Sequence, residues 1–183
     1  MKSIALISDN HSYIGEDVLQ HLNDKDEIWH AGDIGKLDSI TSIIKKTPTF
    51  RAVYGNIDTA DTRETYPLNQ IFEVEGLKVF MTHIGGYPGS YKTRVKTLIK
   101  EHKPDLYICG HSHILKVVRD KSNDLIHMNP GAYGHHGFHK MRTILTFNIS
   151  EGKIIDLNVI ELGMRGILKD VDDYLFKLNK WEE

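Results

Sequence analysis

The stretch SIALISDNH at residues 3–11 decides how the chain is read. An uncharged, mostly apolar run over residues 3–8 stops abruptly at Asp9, Asn10 and His11. Such a run suits a strand buried on both faces, yet it ends in groups that bind ligands rather than groups that pack. The same pattern recurs along the chain. Residues 27–31 run into Gly32 and Asp33, residues 49–54 into Gly55 and Asn56, residues 77–82 into His83, and residues 106–109 into Gly110, His111, Ser112 and His113. Five predicted strands therefore present polar, metal-competent side chains at their carboxyl ends. In open α/β sheets that edge is where ligands bind, so residues distant in sequence are expected to meet in one crevice.

Segments of helical period separate these strands. Residues 14–22 set Ile14, Val18, Leu19 and Leu22 on one face, and residues 37–46 do the same with Leu37, Ile40, Ile43 and Ile44. A further helix is predicted over residues 91–102, stopped by Pro104. This alternation predicts an α/β fold, a sheet covered by helices. Residues 71–74 and 77–82 flank a Glu75-Gly76 turn and predict a hairpin. From residue 115 the pattern turns β-rich, with strands predicted over residues 115–119, 125–128, 142–149 and 154–161 and a turn at Glu151-Gly152. Residues 167–181 predict an amphipathic helix through Ile167, Val171, Tyr174, Leu175 and Leu178. No repeat, low-complexity stretch or linker interrupts the pattern, so residues 1–183 are expected to form a single domain.

Composition narrows the function. With 40% hydrophobic and 26% charged residues, collagen-like, coiled-coil and disordered classes are excluded. A formal charge of −2 provides no broad basic field, which argues against a nucleic-acid partner. No apolar run approaches the roughly 18 residues of a membrane helix and no targeting segment is visible, so a cytoplasmic protein without a membrane partner is expected. The single Cys109 excludes an internal disulfide and a Cys-rich zinc module. Against that one Cys stand 11 His, an imbalance that points to a metal preferring nitrogen and oxygen ligands.

The candidate ligands are Asp9, His11, Asp33, Asn56, His83, His111 and His113. Their carboxylates, imidazoles and amide oxygen suit two divalent metal ions drawn from Mn, Fe, Ni or Zn. Seven groups are too many for one tetrahedral ion and suit two ions that share a carboxylate. Paired ions about 3.5 to 4 Å apart are a common apparatus for hydrolysing phosphate esters.

In this order, Asp-x-His, Gly-Asp, Gly-Asn, His and Gly-His-x-His, the blocks resemble the calcineurin-like metallophosphoesterase superfamily, and most closely its small bacterial and archaeal phosphodiesterases. The resemblance extends from Asp9 to Asn129-Pro130-Gly131. It implies a four-layer α/β/β/α sandwich with two central mixed β-sheets. It implies that Asp9, His11 and His113 bind one ion, that Asn56, His83 and His111 bind the other, and that Asp33 bridges them. The activity implied is a metal-dependent phosphodiesterase whose metal-bridged hydroxide attacks a small phosphate-ester substrate, and a homo-oligomer is implied in the same way. Two positions depart from the pattern: Ile57 stands where larger phosphatases carry a leaving-group His, and Ala132 follows Asn-Pro-Gly where Ser is frequent. A eukaryotic retromer subunit that resembles the same fold serves as a protein-binding scaffold, which is the competing function. The completeness of the ligand set favours the enzyme.

The remaining polar residues carry weaker expectations. His135, His136 and His139 lie in a Gly-rich loop after Asn129-Pro130-Gly131 and are expected to reach the substrate side. His30 is expected in the core or behind the ligands, His127 in a strand, His21 and His102 on helix surfaces, and Asp58 either closing the turn after Asn56 or orienting a histidine behind the ligands. Lys92, Arg94, Lys96, Lys100 and Lys103 are expected to form a solvated helix face.

Overall fold

Along β1 (Lys2–Ile7) successive side chains part company, Ile4 and Leu6 entering one apolar core and Ala5 and Ile7 another. This is the two-sided burial expected of a central strand, whose side chains alternate between faces. The computed structural model, which describes residues 1–167, repeats this division in each central strand.

One sheet has the order β10-β9-β1-β2-β3, from β2 (Glu27–His30), β3 (Thr49–Ala52), β9 (Met141–Ser150) and β10 (Lys153–Met164). The pairs β1-β2 and β2-β3 are parallel, and β9 and β10 add antiparallel to the other side of β1. The second sheet has the order β4-β5-β6-β8-β7, from β4 (Asn69–Val74), β5 (Leu77–Thr82), β6 (Leu106–Ile108), β7 (Leu115–Asp120) and β8 (Leu125–Pro130). Here β5, β6 and β8 are parallel, while β4 and β7 run antiparallel at the edges. The predicted Glu75-Gly76 hairpin joins β4 to β5, with Val74 opposite Leu77.

Between the sheets lies a core built from both: Ile4, Leu6, Trp29 and Val53 from one, Val79, Met81, Leu106 and Ile108 from the other. Outside the first sheet, Val18, Leu19, Ile40 and Ile43 of α1 (Glu16–Leu19), a 3-10 turn at Leu37–Ile40 and α2 (Thr41–Lys46) pack on Ala5, Ile7 and Ile28. Outside the second, Val95 and Ile99 of α4 (Thr93–His102) pack on Phe80 and Tyr107. The layers are therefore helix, sheet, sheet, helix, as the resemblance implied.

Several elements differ from expectation. The helix predicted over residues 14–22 is helical only at Glu16–Leu19 and continues as turns, although Leu22 still reaches the core. Asn23 and Asp24, which compete for backbone hydrogen bonds locally, follow that segment. The helix predicted over residues 37–46 divides into the 3-10 turn and α2, in a stretch rich in β-branched side chains. A helix that periodicity did not reveal, α3 (Ala60–Thr65), follows the Gly-Asn block and buries only Thr62. The amphipathic helix expected beyond Ile167 lies outside the described residues. Among the described residues no helix is long and apolar enough to cross a membrane.

Candidate metal centre

The polar residues that end β1, β2 and β6 leave their strands by a sharp reversal. Asp9, His11, Asp33, His111 and His113 all adopt left-handed backbone conformations, with φ of 56°, 47°, 55°, 67° and 58°. That region is sterically disfavoured for residues with a Cβ and persists only where the surroundings enforce it. Main-chain bonds between neighbouring loops enforce it here. Asp9 N–H donates to the Gly32 carbonyl at 3.0 Å, His11 N–H to the Asp33 carbonyl at 3.1 Å, and Gly110 N–H to the His83 carbonyl at 3.1 Å. The loops approach so closely that a Cβ at Gly55 would overlap the Asp33 carboxylate, and one at Gly110 the Ser8 hydroxyl and Asp9 carboxylate.

The result is two groups of candidate ligand atoms. Asp9, His11, Asp33 and His113 bring one donor atom each within 4.8 Å of one another, and Asp33, His83 and His111 do the same. Asp33 belongs to both. Asn56, an amide, joins the second group through Oδ1, which lies 3.2 Å from His83 Nε2. All seven residues singled out from the sequence are thus brought together, in two groups that share Asp33.

Hydrogen bonds fix which nitrogen His83 and His113 offer. His83 Nδ1–H donates to the Ala31 carbonyl at 2.7 Å, which leaves the Nε2 lone pair facing Asn56 Oδ1 and Asp33 Oδ1, each 3.2 Å away. His139 Nε2–H donates to the Gly134 carbonyl at 3.1 Å, so its Nδ1 accepts from His113 Nδ1–H at 3.2 Å. The His113 Nε2 lone pair then faces Asp9 Oδ1 at 3.1 Å and His11 Nε2 at 3.4 Å. Asp9 Oδ1 is buried and receives no hydrogen bond. Acceptors facing acceptors in a buried site repel unless a cation lies among them, and this donor set fits divalent ions well.

Electrostatics agree. Burial disfavours the charged form of His83, but its bond to Asp33 and the charges of Asp9 and Asp33 outweigh that and raise its pKa. A proton and a metal would compete for the same Nε2 lone pair. Burial would raise the Asp33 pKa, yet the bond to His83 and the Ile57 N–H, 3.1 Å from Oδ1, hold it below the usual carboxylate range. Burial lowers His11 and His111, which favours the neutral, ligating form.

Supporting residues complete the centre. Asp58 does more than close a turn: its Oδ1 accepts Gly35 N–H at 2.7 Å and its Oδ2 accepts Gly55 N–H at 2.6 Å, tying the loop after β2 to the loop after β3. Arg63 of the unforeseen α3 donates to the Asp58 carbonyl at 2.8 Å and the Asn56 carbonyl at 3.1 Å. Asn129 holds the Gly-His-x-His loop, donating to the Gly110 carbonyl at 2.9 Å and to Ser112 Oγ at 3.1 Å. His30 is fully buried behind the site, accepting Gly32 N–H and donating to Asn10 Oδ1 at 2.9 Å, and burial depresses its pKa to about 3. Of the three loop histidines, His139 is taken up orienting His113 and His135 accepts Gly166 N–H at 3.0 Å. His136 is exposed, its ring 4.7 Å from that of His11. Arg63 was illegible in the sequence because its partners are backbone carbonyls, which leave no trace in side-chain pattern.

Comparison with known proteins shows the family. The chain is 33% identical over 134 residues, 70% of its length and 76% of the relative's, to a probable metallophosphoesterase of Methanothermobacter thermautotrophicus. It is 30% identical over 138 residues, 70% of its length and 67% of the relative's, to a probable metallophosphoesterase of Methanocaldococcus jannaschii. A crystal structure of a Vps29 single mutant from Entamoeba histolytica shares the fold, with a TM-score of 0.69 at 14% identity over 87% of this chain and 98% of that one. The profile of the calcineurin-like phosphoesterase superfamily domain matches residues 1–152, a span that holds every residue of the centre described above, and the chain belongs to that superfamily.

Proposed function

We propose that the chain is a metal-dependent phosphodiesterase with a dinuclear centre, acting on small phosphate esters. The observation that carries this is the Asp33 carboxylate shared by two groups of ligand atoms, beside a buried Asp9 Oδ1 that receives no hydrogen bond among the described residues. Asp9, His11 and His113 would hold one ion, Asn56, His83 and His111 the other, with Asp33 between. Divalent ions bound there supply Lewis acidity toward phosphoryl oxygens and lower the pKa of water.

The chain's own residues set the rest. Ala31 and His139 hold the His83 and His113 rings so that each offers Nε2. In hydrolysis the oxygen of water bonds to phosphorus as the ester P–O bond breaks, and the proton that water loses ends on the leaving oxygen. No imidazole at position 57 delivers it: the Ile57 side chain is apolar, while its N–H orients Asp33. Leaving oxygens of low pKa, which depart without a proton donor, are therefore favoured.

The test is hydrolysis of bis-p-nitrophenyl phosphate by protein supplied in turn with Mn, Fe, Ni and Zn. Turnover that chelation abolishes and metal restores is expected. No turnover with any of the metals would leave the scaffold function, which the likeness to Vps29 permits at the level of the fold.

A further inference from the structure

Beside the His83 end of the centre opens a cavity of about 450 Å³ whose lining includes Asn56 and His83 of the centre together with Arg63, Lys92 and Arg94. A second cavity of about 270 Å³ opens beside His111, and Lys92 and Ile84 line both. Lys92 and Arg94 therefore do not lie on a merely solvated helix face, as the charge run suggested. They face the crevice.

Three cations gather there with no anion to balance them. No carboxylate lines either cavity, and among the described residues none of the three is ion-paired. Two are rigidly mounted. Arg94 donates to Asn69 Oδ1, to Thr82 Oγ1 at 3.2 Å and to the Ile84 carbonyl at 3.2 Å. Arg63 is held by the loop carbonyls described above and lies over the Tyr54 ring, 5.0 Å from its centroid. These bonds place charge without neutralising it, because the partners are neutral oxygens. The Lys92 side chain makes no hydrogen bond or ion pair among the described residues and is exposed. It also precedes α4, whose first turn has neither an acidic residue nor a side-chain cap, so the helix terminus adds to the positive field.

We propose that this cavity is a second anion subsite that selects small esters carrying a further phosphate group beyond the one being hydrolysed, with Lys92 as its adjustable contact. The proposal rests on the phosphoesterase function argued above. A single phosphate at the metal centre leaves the three cations without a partner. A substrate with a second phosphate satisfies both places, and Lys92, on a flexible stem, can follow phosphates of differing reach.

The test compares two esters with the same leaving group: thymidine 5′-(p-nitrophenyl phosphate) with and without a 3′-phosphate. The metal-loaded protein is expected to hydrolyse the 3′-phosphorylated ester with kcat/KM about tenfold higher, the scale of one charge-assisted hydrogen bond, mostly through KM. Lys92→Gln should erase that advantage. Equal kcat/KM for the two esters, or an advantage that survives the substitution, overturns the proposal. In a second arm, inorganic phosphate is titrated into protein freed of metal and then of chelator. Saturable binding weakened about tenfold by Lys92→Gln is expected, and equal affinity of the two proteins overturns the subsite. If neither ester is hydrolysed, the phosphoesterase function fails while the titration still decides the cavity. An oligothymidylate that competes more tightly than the bisphosphate overturns the assignment to a small ester.

Discussion

The two halves of the candidate centre are built differently. On the Asp9, His11 and His113 side the ligands lie half or fully buried, and His113 is backed by His139 and, through it, by the Gly134 carbonyl. On the other side His83 is buried, but Asn56 and His111 are exposed and border the two open cavities. Under the proposed function, the first half would keep its ion and the second would meet substrate. The loop after β8 closes the buried side, placing His139 against His113 and His136 beside His11.

The most severe way to break this comparison is to remove the residue that both halves share. Asp33→Asn is expected to lose both metal equivalents and to lower the hydrolysis rate on the order of a thousandfold, since the ions supply several kcal/mol. Elemental analysis of the purified variant alongside its rate checks this, and full metal content with full rate would sink the bridging role. Next comes a lesion confined to one half. His139→Ala frees the His113 ring and should weaken one metal equivalent by about ten- to a hundredfold, the usual effect of losing an orienting partner. Arg63→Met, which releases the Asn56 loop, should weaken the other equivalent instead. Metal titrations that showed both variants weakening the same equivalent would erase the distinction.

The halves should also part in their response to pH. The raised pKa of His83 favours a proton that metal must displace, whereas the lowered one of His11 favours the neutral, ligating form. As pH rises through the His83 pKa, affinity on the open side should increase with release of a proton, while the buried side changes little above about pH 6.5. Calorimetry in buffers of different ionisation enthalpy measures that proton. Release of a proton only on the buried side would reverse the assignment.

The smallest effect expected lies away from the centre. His127 is buried with neither ring nitrogen hydrogen-bonded among the described residues, and burial lowers its pKa to about 4 from 6.5. A histidine depressed in the folded state is protonated first in the unfolded chain, so stability falls as pH drops below 6.5 toward 4. The loss is roughly 3 kcal/mol at most. His127→Met should flatten that dependence, and denaturant unfolding at pH 5 and pH 8 would show it. An unchanged slope would clear His127 of the role.

Much of this was legible before the structure. Buried strands ending in Asp, Asn and His declare themselves because apolar runs and polar termini are local features. The ligand groups also needed no coordinates to be suspected, since the carboxyl ends of strands in such sheets converge. Arg63 and Asp58 were harder to read: each acts on backbone groups of a loop brought near only by folding. The loop histidines looked alike in sequence, and only the bond from His113 to His139 separates an orienting imidazole from the exposed His136. The cations at 63, 92 and 94 belong to different elements, and composition reported them as part of a near-neutral sum.

By itself, then, the sequence determined the alternation of strand and helix, the two-sided burial of the strands, and the identity of the groups that end them. Those follow from hydrophobic period and side-chain chemistry, which are properties of short segments. Only the tertiary structure decided which nitrogen His83 and His113 offer, that Asp33 stands between two ligand groups, and that unpaired cations line the way in. Those depend on distances between loops, which are set by how the two sheets pack.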